Sequence, residues 1–188
     1  MKKKIIISGN KEFGLSAALG KVFPDLTYAS RKNGYDLVKD EAQKRFADEA
    51  STYDVIVICS ALHKFQQTVL LDQVYKACVE KNKRPHIICC GSTTDRVKNG
   101  KVWLYNAEKK ALRDYCNTLA IGGVWSEKPK ITLISLGTLS NNQHKHADRK
   151  TMNIDQAAHY IKWIIDQPAE ININEISIDP MQSDYWYS

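Results

Sequence analysis

The run Asp54-Val-Ile-Val-Ile-Cys59 is apolar at every interior position. Successive side chains of a strand point to opposite faces, so a strand with no polar face must be covered on both. That demand restricts the chain to folds in which helices sandwich a sheet. Ile5-Ile-Ile7, ended at once by Ser8-Gly9, and Pro85-His-Ile-Ile-Cys-Cys90 read as further buried strands. Shorter or more mixed strands are expected over 26–29, 130–135 and 171–178.

Helical patterns lie between these runs. Residues 14–23 carry Leu15, Ala18, Leu19 and Val22 at helical spacing and stop at Pro24. Residues 40–50 turn Ala42, Phe46 and Ala50 inward, and 65–79, 103–119 and 155–166 complete the set. Strict alternation of strand and helix favours right-handed crossovers. The expected architecture is α/β: a doubly wound, Rossmann-like parallel sheet in a three-layer α/β/α sandwich, with residues 1–188 forming one domain.

A hydrophobic content of 43% with 26% charged residues describes an ordinary globule. The five cysteines are odd in number, sit mostly in apolar runs and lack CxxC spacing, so they read as reduced, buried side chains. The N-terminal Met-Lys-Lys-Lys precedes only three isoleucines, too few for a signal peptide or membrane span, and a cytoplasmic location is expected. Net charge is +6, but the basic residues are scattered and no aromatic-basic signature accompanies them. Neither nucleic acid nor membrane is expected as a partner. His144 and His146 alternate on a polar loop without an evident third ligand, so no metal is expected.

Ligands of open parallel sheets bind at the carboxyl ends of the strands. Loops 8–14, 30–34, 59–63, 91–101 and 136–153 leave those ends. Gly9 and Gly14 in the first either present backbone N–H groups to a phosphate or simply permit a tight turn. Residues 139–153 form the candidate lid or substrate loop, and the aromatic tail 184–188 is expected to pack on the site or on a second subunit. Tyr105 and Lys109 lie four apart on the fourth helix and so share one face. An ammonium beside a phenol lowers the phenol's pKa from about 10, which suits proton transfer near neutrality.

In this order the segments resemble the short-chain dehydrogenase/reductase family. Ser8-Gly-Asn-Lys-Glu-Phe-Gly-Leu-Ser16 is similar to its TGxxxGIG dinucleotide turn, and Tyr35-Asp36-Leu37 to the Asp-Val pair whose Asp holds adenine. Cys59-Ser60-Ala61 stands at the NNAG turn, and Ser135-Leu-Gly137-Thr138 at a Pro-Gly-x-x-Thr-like turn. Ser92 precedes Tyr105 by the interval usual between the family's catalytic Ser and Tyr. Departures accompany the match. The glycine turn is one residue longer and lacks its last glycine, leaving Ser16 to pack closely. The NNAG asparagines are missing, and the short interval from Ser60 to Ser92 implies that one helix is shortened or lost. The family's relay Asn has no match; Gln66, Gln67 and Thr68 fall nearest.

The resemblance implies Ser92, Tyr105 and Lys109 as catalytic residues, with Tyr105 as general acid/base. It implies a dinucleotide held by Ser8, Gly9, Phe13, Gly14, Leu15, Arg31, Asp36, Leu37, Cys59, Ser60, Ala61, Tyr105, Lys109, Gly137 and Thr138. Ser92 in Gly91-Ser-Thr-Thr-Asp95 also suits a helix or turn cap. Arg31 at the second strand's end, with no acidic residue there, favours NADP(H) over NAD(H) through its 2′-phosphate, unless it is a solvated turn residue. A small carbonyl or alcohol substrate is implied, with a homodimer or homotetramer possible. Two functions stand: an NADP-dependent oxidoreductase, or a catalytically degenerate dinucleotide-binding sensor or scaffold.

Overall fold

A computed structural model of the chain describes residues 2–96 and 103–182. The tail 184–188 and the outer part of the 91–101 loop lie outside the described residues. Strands β1 (Ile5–Ser8), β2 (Thr27–Ala29), β3 (Val55–Ile58), β4 (His86–Ser92), β5 (Lys130–Leu136) and β6 (Glu175–Ile178) form one parallel sheet in the order β2-β1-β3-β4-β5-β6. Helices α1 (Gly14–Val22), α2 (Asp40–Ala50), α3 (Gln66–Glu80), α4 (Leu104–Val124) and α5 (Ile154–Ile165) fill the crossovers. No helix among the described residues is long and apolar enough to cross a membrane.

The apolar runs behave as two-sided burial requires. Ile6, Ile56, Ile58, Ile87 and Leu133 face a core closed by Phe46 of α2, Leu70 and Val74 of α3, and Leu112 and Cys116 of α4. Their neighbours Ile5, Ile7, Val55, Val57, Ile88 and Ile134 face a second core closed by Leu19 of α1 and Ile161, Ile164 and Ile165 of α5. The three-layer α/β/α arrangement follows from this division. Crossover direction switches at β1, which pairs with β2 on one side and β3 on the other. The carboxyl ends of these strands therefore part into a crevice.

Several boundaries differ from expectation, each for a local reason. Helix α4 runs on to Val124 because Ala120 is still buried, and Ser126 Oγ closes its end by donating to the Gly122 carbonyl at 2.7 Å. Strand β6 begins only at Glu175. The segment before it is tied to β5 irregularly, through the Asn172 side chain on the Ile131 carbonyl and the Asn174 carbonyl accepting from Leu133 N. Strand β4 continues past Cys90 through Gly91 to Ser92, in register with Leu136 at the end of β5. No helix is missing between Ser60 and Ser92: α3 occupies that crossover with fifteen residues.

His86, at the start of β4, lies with Nε2 2.8 Å from Thr132 Oγ1. Burial pushes its imidazole from 6.5 down to about 3, and the charges of Lys130 and Lys3 act the same way. Between those values the unfolded chain binds a proton that the native state refuses. This contribution is therefore complete above pH 6.5 and lost as pH falls toward 3. Replacing His86 by Gln, which can still bond Thr132, should flatten the dependence of unfolding free energy on pH by up to about 1.4 kcal/mol per pH unit in that window. Urea titrations at a series of pH values measure it.

Candidate active site

The crevice at the strand ends is a cleft of about 1110 Å³. The expected catalytic and dinucleotide-binding residues line it: Ser8, Gly9, Phe13, Gly14 and Leu15 from the first turn, Arg31, Asp36 and Leu37 beyond β2, Cys59, Ser60 and Ala61 beyond β3, Ser92 at the end of β4, Tyr105 and Lys109 on α4, and Gly137 and Thr138 beyond β5. Such a volume exceeds the upper end, about 1,000 Å³, of ordinary small-molecule pockets.

The first turn is built by side chains that the sequence pattern did not flag. Asn10 Oδ1 accepts from the N–H groups of Glu12 and Phe13 at 2.9 and 3.1 Å, which organises the longer turn. Gly14 enters α1 with φ +73°, a backbone angle that favours glycine. Phe13 provides no side-chain cap, and α1 has no acidic residue in its first turn. Its leading N–H groups and the positive end of its dipole meet the cleft, an arrangement suited to a phosphate.

Ser16 stands where the dinucleotide turn has its last glycine, and the structure shows how it fits. Its Oγ donates to the Asn10 carbonyl at 2.7 Å, and its side chain lies against Gly9. A Cβ at Gly9 would come within 2.6 Å of Ser16 Cβ. The turn beyond β3 is braced from β1, without asparagine. Ser8 Oγ accepts from the N–H groups of Cys59 and Ser60 at 3.0 and 3.1 Å.

Ser92 and Tyr105 meet at the cleft floor. Burial raises the Tyr105 phenol above its ordinary value, the hydrogen bond with Ser92 opposes this, and the charge of Glu108 reinforces it. The expectation that Lys109 lowers the Tyr105 pKa is thus corrected. The ammonium lies over the ring, 5.2 Å from its centroid, and not at the hydroxyl, so desolvation decides the direction.

Lys109 is only 4% exposed, and Gln67 is its partner. Gln67 Oε1 accepts from Lys109 Nζ at 2.5 Å, while its Nε2 donates to the Cys90 carbonyl at 2.9 Å and the Ile58 carbonyl at 3.4 Å. Of the three polar residues near the missing Asn, only Gln67 makes this contact; Gln66 is taken up by Gln43 Nε2 at 2.6 Å. Burial pushes the Lys109 pKa down, opposed by Cys90, Cys89, Glu108 and Cys116.

Beyond β2, Arg31 Nε donates to Asp36 Oδ1 at 3.0 Å, so two residues expected to act separately are paired. Lys32 is paired with Glu12. The 139–153 segment closes on itself through Leu139 and Met152. Gln143 Nε2 donates to the carbonyls of His146 and Arg149 at 2.9 and 3.1 Å. Asn141, His146 and Arg149, from the expected lid or substrate loop, reach the cleft, as does Gln182, which no pattern in the sequence marked.

Gly9→Ala should cost about 1–3 kcal/mol of unfolding free energy through this overpacking. Gly9→Ala combined with Ser16→Gly should recover most of it. Denaturant titration of the single and double variants measures both.

No protein-family model and no curated protein sequence matches this chain. Solved structures do. A serine dehydrogenase in its closed form complexed with NADP+ superposes with a TM-score of 0.71 at 15% identity, covering 93% of this chain and 94% of that one. A short-chain dehydrogenase from Burkholderia cenocepacia in complex with NADP gives 0.75 at 14% identity, covering 93% and 87%. A ribose-5-phosphate isomerase from Brucella melitensis gives 0.73 at 13%, covering 94% and 90%. Similarity at this level is similarity of architecture across nearly the whole chain: it shares with these proteins the Rossmann-like, three-layer α/β/α fold.

Proposed function

We propose that the chain is an NADP-dependent oxidoreductase that interconverts a small carbonyl compound and its alcohol. The observation that carries this reading is the group lining the cleft: a half-buried tyrosine and Ser92, one helical turn from a buried lysine anchored by Gln67. A proton donor beside a hydroxyl donor, at the switch point of a parallel sheet, suits a carbonyl oxygen that gains charge.

The cleft fits a dinucleotide in size. The uncapped start of α1 suits its diphosphate, and the Arg31–Asp36 pair is positioned for its adenosine end. NADPH bound there supplies the hydride. Ser92 donates a hydrogen bond to the carbonyl oxygen, and Tyr105 delivers its proton to that oxygen as charge develops. A phenol raised by burial holds its proton through neutral pH and is poised as an acid. Lys109, over the Tyr105 ring, offsets the phenolate left behind. Gln67 holds Lys109 in place; with its amide nitrogen engaged by Cys90, it anchors the lysine without passing a proton onward.

Preference for NADP rests on Arg31. Its side chain is 77% exposed, and its pair with Asp36 is a surface pair worth little, so a 2′-phosphate can compete for the guanidinium. Arg31→Ala should weaken NADPH binding about tenfold and leave NADH nearly unchanged, in titrations followed by nucleotide fluorescence.

Tyr105→Phe should reduce turnover of a carbonyl panel by at least about 100-fold while leaving NADPH affinity within about twofold. Stopped-flow absorbance and the same titration measure these. NADPH binding by a wild-type protein that reduces nothing in the panel would instead favour the sensor or scaffold reading.

A further inference from the structure

Each carbonyl reduced removes one proton from Tyr105, and the Tyr105–Lys109 pair must regain it from water before the next cycle. With the cleft filled by nucleotide and substrate, Lys109 needs another path to solvent. We propose that Glu108 and His63 form a proton inlet serving the Tyr105–Lys109 pair. The inference rests on the oxidoreductase reading and adds the residues that recharge its acid.

Glu108 lies between the two members of the pair in sequence, and its side chain is 5% exposed. One oxygen, Oε1, accepts from the Lys64 N–H at 2.6 Å. The other, Oε2, is buried without a hydrogen-bond partner among the described residues. A buried carboxylate oxygen left unpartnered is costly and calls for a cause. Glu108 and Lys109 line one small void between the start of α3 and α4, together with Gln67, Thr68 and Phe65.

On the solvent side of Glu108 stands His63. Its side chain is 73% exposed, and its Nδ1 lies 3.9 Å from Glu108 Oε2. The ring also sits 6.0 Å from the Tyr105 ring. A small rotation of this exposed imidazole brings Nδ1 to hydrogen-bond distance. Lys64 and Phe65, which follow, both have positive φ, 56° and 61°. That conformation is unfavourable for such side chains. The Glu108–Lys64 bond helps hold it and thereby keeps His63 beside the buried oxygen.

The other titratable groups around Lys109 are unsuited to exchange. The hydrogen bond between Cys89 and Cys116, followed by burial, pushes the Cys89 thiol up, and burial pushes the Cys90 thiol up to about 12. Cys116 itself is fully buried on α4. Gln67 does not titrate. Proton balance is then simple. The imidazolium of His63 gives its proton to Glu108, Glu108 returns it to the Tyr105–Lys109 pair, and His63 takes a replacement from water.

The test follows the Lys109 ammonium by ¹⁵N NMR in the protein saturated with NADP+, with the signal assigned through Lys109→Arg. Exchange of its protons with water should slow at least tenfold in Glu108→Gln, which keeps the acceptor for Lys64, and in His63→Ala. Added imidazole should restore the rate in His63→Ala and not in Glu108→Gln, a distinction that a merely structural role would not produce. Nucleotide binding with unchanged or faster exchange in both variants overturns the inlet alone. Failure to bind any nicotinamide dinucleotide overturns the oxidoreductase reading, and the inlet with it.

Discussion

A lysine ammonium held away from water needs a partner, and around Lys109 that need organises the whole floor of the cleft. Gln67 meets it with one oxygen and spends its nitrogen on the Ile58 carbonyl at the end of β3 and the Cys90 carbonyl two residues short of the end of β4. One buried amide thus ties two neighbouring strand ends to α4. Because β4 is fixed there, it carries on in register to Ser92, which places that hydroxyl beside Tyr105. The same strand ends leave a cleft beside β1, where Ser8 braces the turn beyond β3. An amide suits this position because it bonds donor and acceptor without adding a second charge to a buried site.

The first turn obeys a different constraint, close approach. Where the related pattern has a glycine, Ser16 leans on Gly9 and returns its hydroxyl to the Asn10 carbonyl. The extra turn residue is accommodated by Asn10, whose side chain takes two backbone donors that would otherwise lack partners. Helix α1 still begins uncapped at the cleft. A changed sequence therefore preserves the feature that matters physically, free N–H groups at a helix start.

Much of this was legible in the sequence because burial on two faces leaves a visible signature. The run from Val55 to Ile58 has no polar position, and its residues do divide between two cores. The motif residues were also legible as a group, since they mark loops on one edge of the sheet, and a parallel topology gathers those loops. What escaped depended on distances that spacing does not encode. Tyr105 and Lys109 at four-residue spacing share a face, yet spacing says nothing of whether the ammonium reaches the hydroxyl or the ring. It reached the ring, and desolvation then fixed the direction of the Tyr105 shift. Gln66, Gln67 and Thr68 were indistinguishable as text, because only helix phase sends Gln67 inward and Gln66 toward Gln43. The loop 139–153 was legible as a lid or substrate loop, but which of its residues face the cleft, His146 and Arg149 among them, depends on a tertiary arrangement around Gln143 without a local pattern.

The direction of the Tyr105 shift bears on what the pair is for. A tyrosine with a lowered pKa would share its proton with water near neutrality and serve equally as acid or base. A tyrosine raised by burial is fully protonated and acts as a base only after it has been made to give that proton up. Burial opposes both charged states here, since the ammonium of Lys109 is disfavoured by the same desolvation. Delivering the phenolic proton turns a neutral phenol into an anion beside a cation, and the ion pair so formed offsets part of the desolvation that each ion would suffer alone. On the proposed reading, a phenol raised by burial holds its proton until an oxygen beside it gains charge.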